Sequence, residues 1–412
     1  MYKRRAMEGT LGATPRRMRA ALRRHGLVPR PEALRRYLRR QGLRFTDGNR
    51  VRPFTSGDLG LAAMLDAIEG AAQRIHLETY ILRGDATGRS FLAALTRQAR
   101  AGVGVRVLYD AFGSLALDPA ELDALRDAGG QVVAFNPLRR FYPRWLPRRR
   151  DHRKILVVDG RIAFTGGLNI GDEYNTGPAA GPATWRDTHL QLEGPAVQDL
   201  DAVFLESWFR ADGAELPWSQ ILAQPAALAG DDRVAVVPDG PSYRRRIVRD
   251  LVLLALASAR HSVRLTSPYF APDAKVLAAM ARAARRGTAI TLLVAGRTDH
   301  PILRRATRNL LPRLIVAGVA AYEYEHSMLH AKTTVLDNVW ALAGTSNLDR
   351  QSFEHSYEVN LVIDGGDVPG QLAAVQDGDN ERATRVDVAR LARRGVVERA
   401  VDRACALALW IV

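Results

Sequence analysis

The chain of 412 residues carries 59 Lys and Arg against 44 Asp and Glu, a net charge of +15, and 47% of its residues are hydrophobic. This composition is typical of a globular protein of about two domains and excludes a fibrous or low-complexity chain. Cys405 is the only cysteine, which excludes an intrachain disulfide and favours a reducing compartment. No signal peptide is recognisable, and no apolar run reaches the roughly 20 residues of a membrane-spanning helix, so we expect a soluble or peripheral protein.

The positive charge is concentrated at the N-terminus. Residues 1–52 hold 16 Lys and Arg against three acids, an excess of +13, which leaves only +2 for residues 53–412. Two short basic helices are predicted here, at Arg16–Arg24 and Glu32–Gln41. Such an arm indicates an anionic partner, either nucleic acid or an acidic membrane surface, although a merely solvated basic segment has the same composition.

From residue 57 onward, helices and short β-branched strands alternate, which predicts an α/β sheet flanked by helices. The first elements are helix Leu59–Ala72, strand Arg74–Leu82, helix Ser90–Ala101, strand Val103–Tyr109, helix Pro119–Ala128 and strand Gln131–Phe135. A loop rich in Pro and Arg over 137–150 then leads into strand Ile155–Val158, an Asp-Gly turn, strands Arg161–Thr165 and Asp187–Glu193, and helix Pro195–Phe209.

The second half repeats this order after a boundary rich in Ala, Pro and Gly. Its elements are helix Ile247–Ala259, strand Ser262–Ser267, helix Asp273–Arg286, strand Ala289–Val294, helix His300–Ala317 and strands Ala320–Tyr324, Thr333–Leu336, Val339–Ala343 and Glu358–Ile363. The repetition predicts an internal duplication. We divide the chain into a basic arm (1–52), a first domain (53–215), a linker (216–232), a second domain (233–366) and a C-terminal helical extension (367–412).

One motif occurs once in each half at the same point of the predicted fold. Its His, Lys, Asp, Gly and Asn fall at offsets 0, +2, +7, +14 and +17 in two copies that begin at His152 and His330. A single copy would be best explained as a histidine beside a surface lysine. Two matched copies argue against that explanation, as does lysine usage: the chain has four lysines, and two of them occupy the His+2 position.

The residue types of the motif suit a phosphate group. His and Lys two residues apart on a strand share a face, so two motifs brought together would place two imidazoles, two ammonium groups and two Asn amides around one point. The cations and amides would neutralise phosphoryl oxygens, one imidazole could attack phosphorus, and the other could protonate the leaving group. We find no zinc-type ligand cluster and no Gly-rich phosphate loop, so no metal or cofactor is expected.

These motifs, together with six stretches in and around them, resemble the phospholipase D superfamily over about residues 53–365. The stretches are 150–154, 157–160, 164–174, 185–189, 193–195 and 267–273, and within the superfamily they are most similar to bacterial cardiolipin synthases of the shorter, peripheral subgroup. The resemblance implies an α/β fold of two duplicated domains, each a mixed β-sheet flanked by helices, related by a pseudo-twofold with one shared active site.

The resemblance also implies roles for individual residues. The catalytic set it predicts is His152, Lys154, Asp159, His330, Lys332 and Asp337, with Asn169 and Asn347 in support. Asp187 and Glu358, on the following strand of each half, match the acid that the family places behind each imidazole, where it would fix the tautomer. The resemblance favours His152 as the nucleophile and His330 as the acid. Asp159 and Asp337 close strands beyond the His/Lys pair, and we interpret them as orienting or structural.

The function implied is transfer of a phosphatidyl group from one phosphatidylglycerol to another, with release of glycerol. The expected partners are phosphatidylglycerol and an anionic membrane surface, at the cytoplasmic side of the cell membrane; the oligomeric state is unknown. Hydrolysis of phospholipids to phosphatidic acid is the alternative. A nuclease is disfavoured because the body is almost neutral, and a membrane-binding protein without turnover is disfavoured by two intact motifs.

Overall fold

The structure is a computed structural model that describes residues 31–137, 149–175, 184–211, 213, 227–243, 246–392 and 395–411. The first half comprises α1 Pro31–Arg40, β1 Thr46–Phe54, α2 Gly57–Glu69, β2 Arg74–Thr79, α3 Ala86–Arg100, β3 Gly104–Asp110, a 3-10 turn Pro119–Leu122, α4 Asp123–Asp127, β4 Gln131–Phe135, β5 Arg150–Asp151, β6 Ile155–Val158, β7 Ile162–Gly166, a 3-10 turn Asp172–Tyr174, β8 Trp185–Arg186, β9 His189–Glu193 and α5 Ala196–Arg210.

The second half comprises β10 Asp232–Asp239, α6 Ile247–Ser258, β11 Ser262–Thr266, β12 Phe270–Ala271, α7 Ala274–Arg285, β13 Ala289–Arg297, α8 Pro301–Val316, β14 Ala320–Leu329, β15 Thr333–Leu336, β16 Trp340–Gly344, β17 Leu348–Asp349, α9 Arg350–Glu354, β18 Ser356–Asp364, α10 Val368–Glu381, β19 Thr384–Val386, α11 Val388–Ala392 and α12 Val396–Ile411. The predicted helix Arg16–Arg24, most of the 137–150 loop and most of the 216–232 linker lie outside the described residues.

The two halves form sheets of the same strand order. The first runs β1-β9-β7-β6-β2-β3-β4 and the second β10-β18-β16-β15-β11-β13-β14, with β19 added at its end. In both, only the last three strands of that common order are parallel to one another. This matched mixed topology confirms the predicted duplicated α/β fold.

A shared core separates the two sheets. It combines buried side chains of α5, such as Leu200 and Phe204, with Leu372 of α10 and strand residues of both halves. Each half has a further core on the outer face of its sheet, covered by α2 and α3 in the first half and by α6 and α7 in the second. Burial of this apolar surface from both halves is the main term that holds them together.

The two predicted domains begin inside strands: residue 53 in β1 and residue 233 in β10. Residue 53 lies in β1, which pairs with β9 of the first sheet and with β10 of the second. The α1 helix before it buries Leu34 and Leu38 completely in the outer core of the second half. Residues 31–52, assigned by sequence to the basic arm, are therefore built into the body.

The α10 helix extends the second half beyond residue 366. It follows β18 as α5 follows β9, and both helices contribute to the shared core. Sequence analysis assigned Val368–Glu381 to the C-terminal helical extension (367–412) and not to the second domain. The duplication thus continues through α10. No helix among the described residues is long and apolar enough to cross a bilayer.

The motif aspartates fasten the hairpin of each half to the neighbouring strand. Asp159 and Asp337 have φ of 54° and 50°, and the residue after each also has positive φ, as a tight hairpin turn requires. Asp159 accepts hydrogen bonds of 2.8–2.9 Å from three consecutive backbone N–H groups, at residues 72–74. Asp337 does the same at residues 260–262 with distances of 2.8–3.0 Å.

This geometry predicts that Asp159→Ala and Asp337→Ala act through stability. Each removes the acceptor of three N–H groups, so we expect each to lower the free energy of unfolding by about 2–4 kcal/mol. Asp159→Asn keeps one acceptor oxygen and tolerates positive φ, so it should lose roughly half as much. Denaturant unfolding of the three variants checks this. Native stability of Asp159→Ala together with abolished turnover would instead place the carboxylate in the chemistry.

Candidate active site

Two short strand pairs between the halves deliver the motif histidines. β5 runs parallel to β18, with Asp151 opposite Tyr357, and the next residue, His152, donates its N–H to the Tyr357 carbonyl at 2.9 Å. β14 likewise runs parallel to β8, and His330 donates its N–H to the Arg186 carbonyl at 2.7 Å. Each histidine therefore enters the site beside the segment of the other half that carries an acid. Glu358 lies in β18, whereas Asp187, predicted on a strand, directly follows β8.

The register of these pairs produces two crossed histidine–carboxylate contacts. His152 Nδ1 lies 3.0 Å from Glu358 Oε2, and His330 Nδ1 lies 2.6 Å from Asp187 Oδ2. The sequence identifies both acids but does not assign each to an imidazole; the structure pairs each with the histidine of the opposite half. Because the carboxylates occupy Nδ1, the remaining ring nitrogen of each histidine is Nε2, the atom available for chemistry.

Both imidazoles line one cavity of about 640 Å³. Asn169 and Asn347 line it as well, so the structure brings together the predicted histidines and amides of both motifs. Aromatic side chains form much of the remaining wall: Tyr80, Phe112, Tyr174, Trp185 and Tyr269. A cavity with a few convergent polar groups and a largely apolar wall is the usual form of a small-molecule or lipid headgroup site.

The two motif lysines lie behind the histidines. Lys154 and Lys332 are almost completely buried, and each donates a hydrogen bond from Nζ to the carbonyl of the histidine two residues before it. Burial, reinforced by the charge of Lys332, lowers the pKa of Lys154 to about 7, and burial lowers the pKa of Lys332 to about 8. Two buried ammonium groups in mutual repulsion make this a site that an anion would stabilise.

The surroundings of both histidines favour the neutral imidazole. Burial, followed by the charge of Lys332, lowers the pKa of His330 to about 4. Burial, followed by the charge of Lys154, lowers the pKa of His152 well below its ordinary value. An anionic phosphate entering the cavity would offset the lysine charges and raise both pKa values. The imidazoles can therefore take up a proton when substrate is present.

The pKa values of the two carboxyl groups, Asp187 and Glu358, are shifted in opposite directions. Burial would raise the pKa of Asp187, but Lys332 and His330 together hold it below its usual range. Burial raises the pKa of Glu358 to about 8, although a hydrogen bond from the Thr345 hydroxyl opposes this shift. The His330 dyad is thus backed by a permanent carboxylate, whereas the His152 dyad is backed by a group that readily accepts a proton.

Three residues at the site were not assigned a role from sequence. Tyr174 donates or accepts at 3.4 Å from His330 Nδ1 and receives a 2.7 Å hydrogen bond from Asn169 Nδ2. The ring of Tyr80 packs against His152 at 5.0 Å and lies 5.3 Å from Lys154 Nζ. Thr345 binds Glu358. Tyr174 ends the stretch 164–174 that carries the family resemblance, and Thr345 lies inside the second motif, so sequence could have indicated both. The sequence around Tyr80 does not distinguish it from other tyrosines at strand ends.

The motif aspartates lie away from the cavity wall, whereas the motif asparagines line it with their side-chain oxygens buried in the fold. Asp159 and Asp337 do not line the cavity, in keeping with an orienting or structural part. Asn169 Oδ1 accepts a 3.1 Å hydrogen bond from the Ile81 N–H, so its carbonyl serves the fold. Asn347 Oδ1 is buried without a hydrogen-bond partner.

Comparison with known proteins agrees with this geometry. The family described as "Cardiolipin synthase, PLD-like domain" matches residues 64–179 and 252–377. Cardiolipin synthase of Geobacillus thermodenitrificans (strain NG80-2) is 38% identical over 349 residues, which cover 84% of this chain and 69% of that protein. Cardiolipin synthase 2 of Bacillus anthracis is 37% identical over 354 residues, with coverage of 85% and 68%.

Solved structures share the fold at low identity. The crystal structure of phosphatidylserine synthase from Haemophilus influenzae Rd KW20 superposes with a TM-score of 0.71 at 14% identity, covering 92% of this chain and all of that one. Polyphosphate kinase from Porphyromonas gingivalis gives 0.54 at 14% identity, covering 92% and 54%. Fold and twin motif together define a phospholipase D-type phosphatidyltransferase. Within that superfamily the chain belongs to the cardiolipin synthase family.

The Thr345–Glu358 contact predicts a specific pH dependence. Ionised Glu358 is the form that holds Nδ1–H on His152 and leaves the Nε2 lone pair free. For a donor whose leaving group needs no general acid, such as a p-nitrophenyl ester of phosphatidic acid, kcat/KM should therefore rise with pH toward about 8. Thr345→Val removes a donor that favours the carboxylate. It should move this rise to higher pH by about one unit, a change of roughly 1.4 kcal/mol.

Thr345→Ser is the matched control, since it keeps the hydroxyl and should keep the profile. The measurement is kcat/KM from pH 5.5 to 9.5 for the parent and both variants. A Thr345→Val profile that is scaled down uniformly, with no shift along the pH axis, would contradict the role given to Glu358.

Proposed function

We propose that this protein is a cardiolipin synthase, which transfers a phosphatidyl group from one phosphatidylglycerol to the hydroxyl of another and releases glycerol. The observation that carries the proposal is the pair of imidazoles, each backed by a carboxyl group of the opposite half, on the wall of one cavity. Two imidazoles at one phosphate can divide the reaction into two displacements, with one as nucleophile and the other as proton carrier.

In the first displacement His152 Nε2 attacks phosphorus of the donor lipid. The bond from phosphorus to the glycerol oxygen breaks, and that oxygen takes a proton from His330 Nε2, so free glycerol departs. The phosphatidyl group is left on His152. Lys154 and Lys332 supply the positive potential that the phosphoryl oxygens meet as charge develops on them.

The unequal carboxyl groups support this division of labour. Asp187 stays ionised at 2.6 Å from His330 and so stabilises the imidazolium form of that histidine. His330 must be in this protonated form before it can act as the general acid. Glu358, whose pKa burial raises to about 8, suits the opposite task. It can take the Nδ1 proton of His152 as phosphorylation makes that ring positive, which leaves a neutral phosphoimidazole.

The second displacement reverses these roles. A hydroxyl of the second phosphatidylglycerol attacks phosphorus and gives its proton to His330, now neutral. The nitrogen–phosphorus bond breaks, its electron pair returns to His152, and cardiolipin is the product. Glu358 returns the Nδ1 proton, so the enzyme ends in its starting state and no net proton is consumed.

The cavity wall and the charge distribution favour lipid over nucleic acid as substrate. The cavity is lined by apolar side chains that include Phe112, Tyr269 and Ile302, the last of which is 56% exposed. A nucleic acid would instead need a row of cations along its phosphate backbone. We further propose that the protein works as a peripheral enzyme on the cytoplasmic side of an anionic membrane. Residues 1–30 carry nine Lys and Arg against one Glu, which would attract such a surface.

The assigned order of attack predicts a trapped intermediate in His330→Ala. A p-nitrophenyl ester of phosphatidic acid has a leaving group that needs no acid, so His152 should still be phosphatidylated. Without a base the second displacement is slow, so p-nitrophenol should appear as a burst of about one equivalent per enzyme. Intact-mass spectrometry should show the phosphatidyl adduct.

His152→Ala is the matched control and should give neither burst nor adduct. An adduct on His152→Ala, with none on His330→Ala, would reverse the assignment of nucleophile and acid. Absence of both, in folded variants, would remove the covalent mechanism.

The reaction type is tested by the products formed on phosphatidylglycerol vesicles. The parent should form cardiolipin and glycerol in equal amounts, and His152→Ala and His330→Ala should each lower this rate by at least about 10³-fold. Phosphatidic acid as the main product would establish a hydrolase instead. Cleavage of DNA with no lipid product would establish a nuclease.

A further inference from the structure

A transferase that joins two phosphatidylglycerols must accommodate a second phosphate. The donor phosphate lies between the imidazoles, but the acceptor lipid carries its own phosphodiester, joined to the attacking hydroxyl through a three-carbon chain. That second anion enters the same cavity, because the hydroxyl must reach phosphorus there. Arg150, on the cavity wall, is placed to meet it.

Arg150 is held in the cavity wall with unused hydrogen-bonding capacity. Its side chain is more than nine-tenths buried, and Nε and Nη1, which are both shielded from solvent, have no hydrogen-bond partner. The guanidinium lies over the ring of Phe112 at 5.1 Å, an arrangement that fixes its plane. A buried arginine with unpaired donors is costly unless an anion completes it.

Asp110, the acid that pairs with Arg150 among the described residues, already accepts other hydrogen bonds. Asp110 Oδ1 lies 3.5 Å from Arg150 Nη1, beyond a good hydrogen bond, while it accepts backbone N–H groups of residues 112 and 113 at 2.9 and 3.0 Å. Oδ2 accepts the N–H of Asp151 at 2.9 Å. Burial also raises the pKa of Asp110. Asp110 therefore orients the guanidinium and leaves much of its charge available.

The distance from Arg150 to the reacting phosphate is suitable for a glycerol bridge. Arg150 and His152 are two residues apart on extended chain beside β18, and both line the cavity. Their Cα atoms are about 6.5–7 Å apart along the strand. That separation is comparable to the span of a three-carbon chain between two phosphates. With one phosphate at His152, the other would fall at Arg150.

We propose that Arg150 forms an acceptor site that binds the phosphate of the second lipid and so selects anionic alcohols over neutral alcohols and water. This inference rests on the proposed transferase function. Arg350, another arginine of the cavity wall, does not have the same availability. Its Nε donates a 3.1 Å hydrogen bond to Glu354 Oε2, so Arg350 is paired with an acid at hydrogen-bond distance.

Competition between soluble acceptors tests the site. With the p-nitrophenyl phosphatidyl donor, the enzyme is offered glycerol and sn-glycerol 3-phosphate together, and the two phosphatidyl products are measured. The parent should prefer the phosphate-bearing alcohol. Arg150→Gln should lower this preference about 10- to 100-fold, the value of one charge-assisted pair. Arg150→Lys, which keeps the charge but not the planar fork, should fall between the two.

The controls separate this inference from the proposed function. Arg350→Gln removes the same charge from the same cavity and should change the preference by no more than about twofold. The p-nitrophenol burst shows that each variant is folded and forms the intermediate. Repetition with phosphatidylglycerol vesicles and glycerol distinguishes recognition of the phosphate from recognition of acyl chains.

An unchanged preference in Arg150→Gln, or an equal loss in Arg350→Gln, would overturn the acceptor site while leaving cardiolipin formation intact. A parent that makes cardiolipin but ignores the charge of the soluble acceptor would overturn it too. A parent that forms only phosphatidic acid would overturn the transferase function itself.

Discussion

The active site depends on two short strand pairs formed between the halves. β5 against β18 and β8 against β14 comprise only two residue pairs each, but they set the register that aligns each histidine with an acid. A shift of one residue would turn the carboxylate to the other side of its strand. The shared apolar core between the sheets holds the two halves together. The two strand pairs fix how the halves are aligned. Catalytic geometry in this fold is therefore a property of the interface.

Duplication has left the two dyads alike in geometry and unlike in proton affinity. Gly167 and Thr345 occupy equivalent places after the paired glycines, and each faces a carboxyl group. A Cβ on Gly167 would lie 1.9 Å from Asp187 Oδ1, whereas Thr345 uses its side chain to bind the longer Glu358. The backbone thus approaches one acid directly and reaches the other through a hydroxyl. This local difference coincides with the difference in pKa: Asp187 beside His330 is held ionised, whereas Glu358 beside His152 has a raised pKa.

Much of the fold could be predicted from sequence because the same pattern occurs twice. Strands such as Ile155–Val158 and Thr333–Leu336 have β-branched composition and clear turn signals, and their bounds agree with the structure. β1 could not be found this way. Its sequence, TDGNRVRPF, contains turn residues and a proline, and it becomes a strand only because β9 and β10 lie on either side of it. Tertiary pairing there outweighs local preference.

The residues of the candidate site could be predicted from sequence, but the contacts between them could not. The offsets of the twin motif single out the histidines and lysines, but they do not show that Asp187 serves His330 and Glu358 serves His152. That assignment depends on register between segments more than 140 residues apart, as for His330 and Asp187. Arg150 is one of 59 basic residues in sequence, and only its burial beside an occupied Asp110 distinguishes it.

The crossed pairs also have a consequence for how the protein is made. His152 is synthesised 206 residues before the acid that backs it. A nascent chain that has completed only its first sheet presents a histidine with no carboxyl partner and half of a cavity. Such a chain also lacks His330, the proton carrier of the proposed mechanism. Enzymatic competence begins late, when residue 358 has left the ribosome and the second sheet has closed against the first.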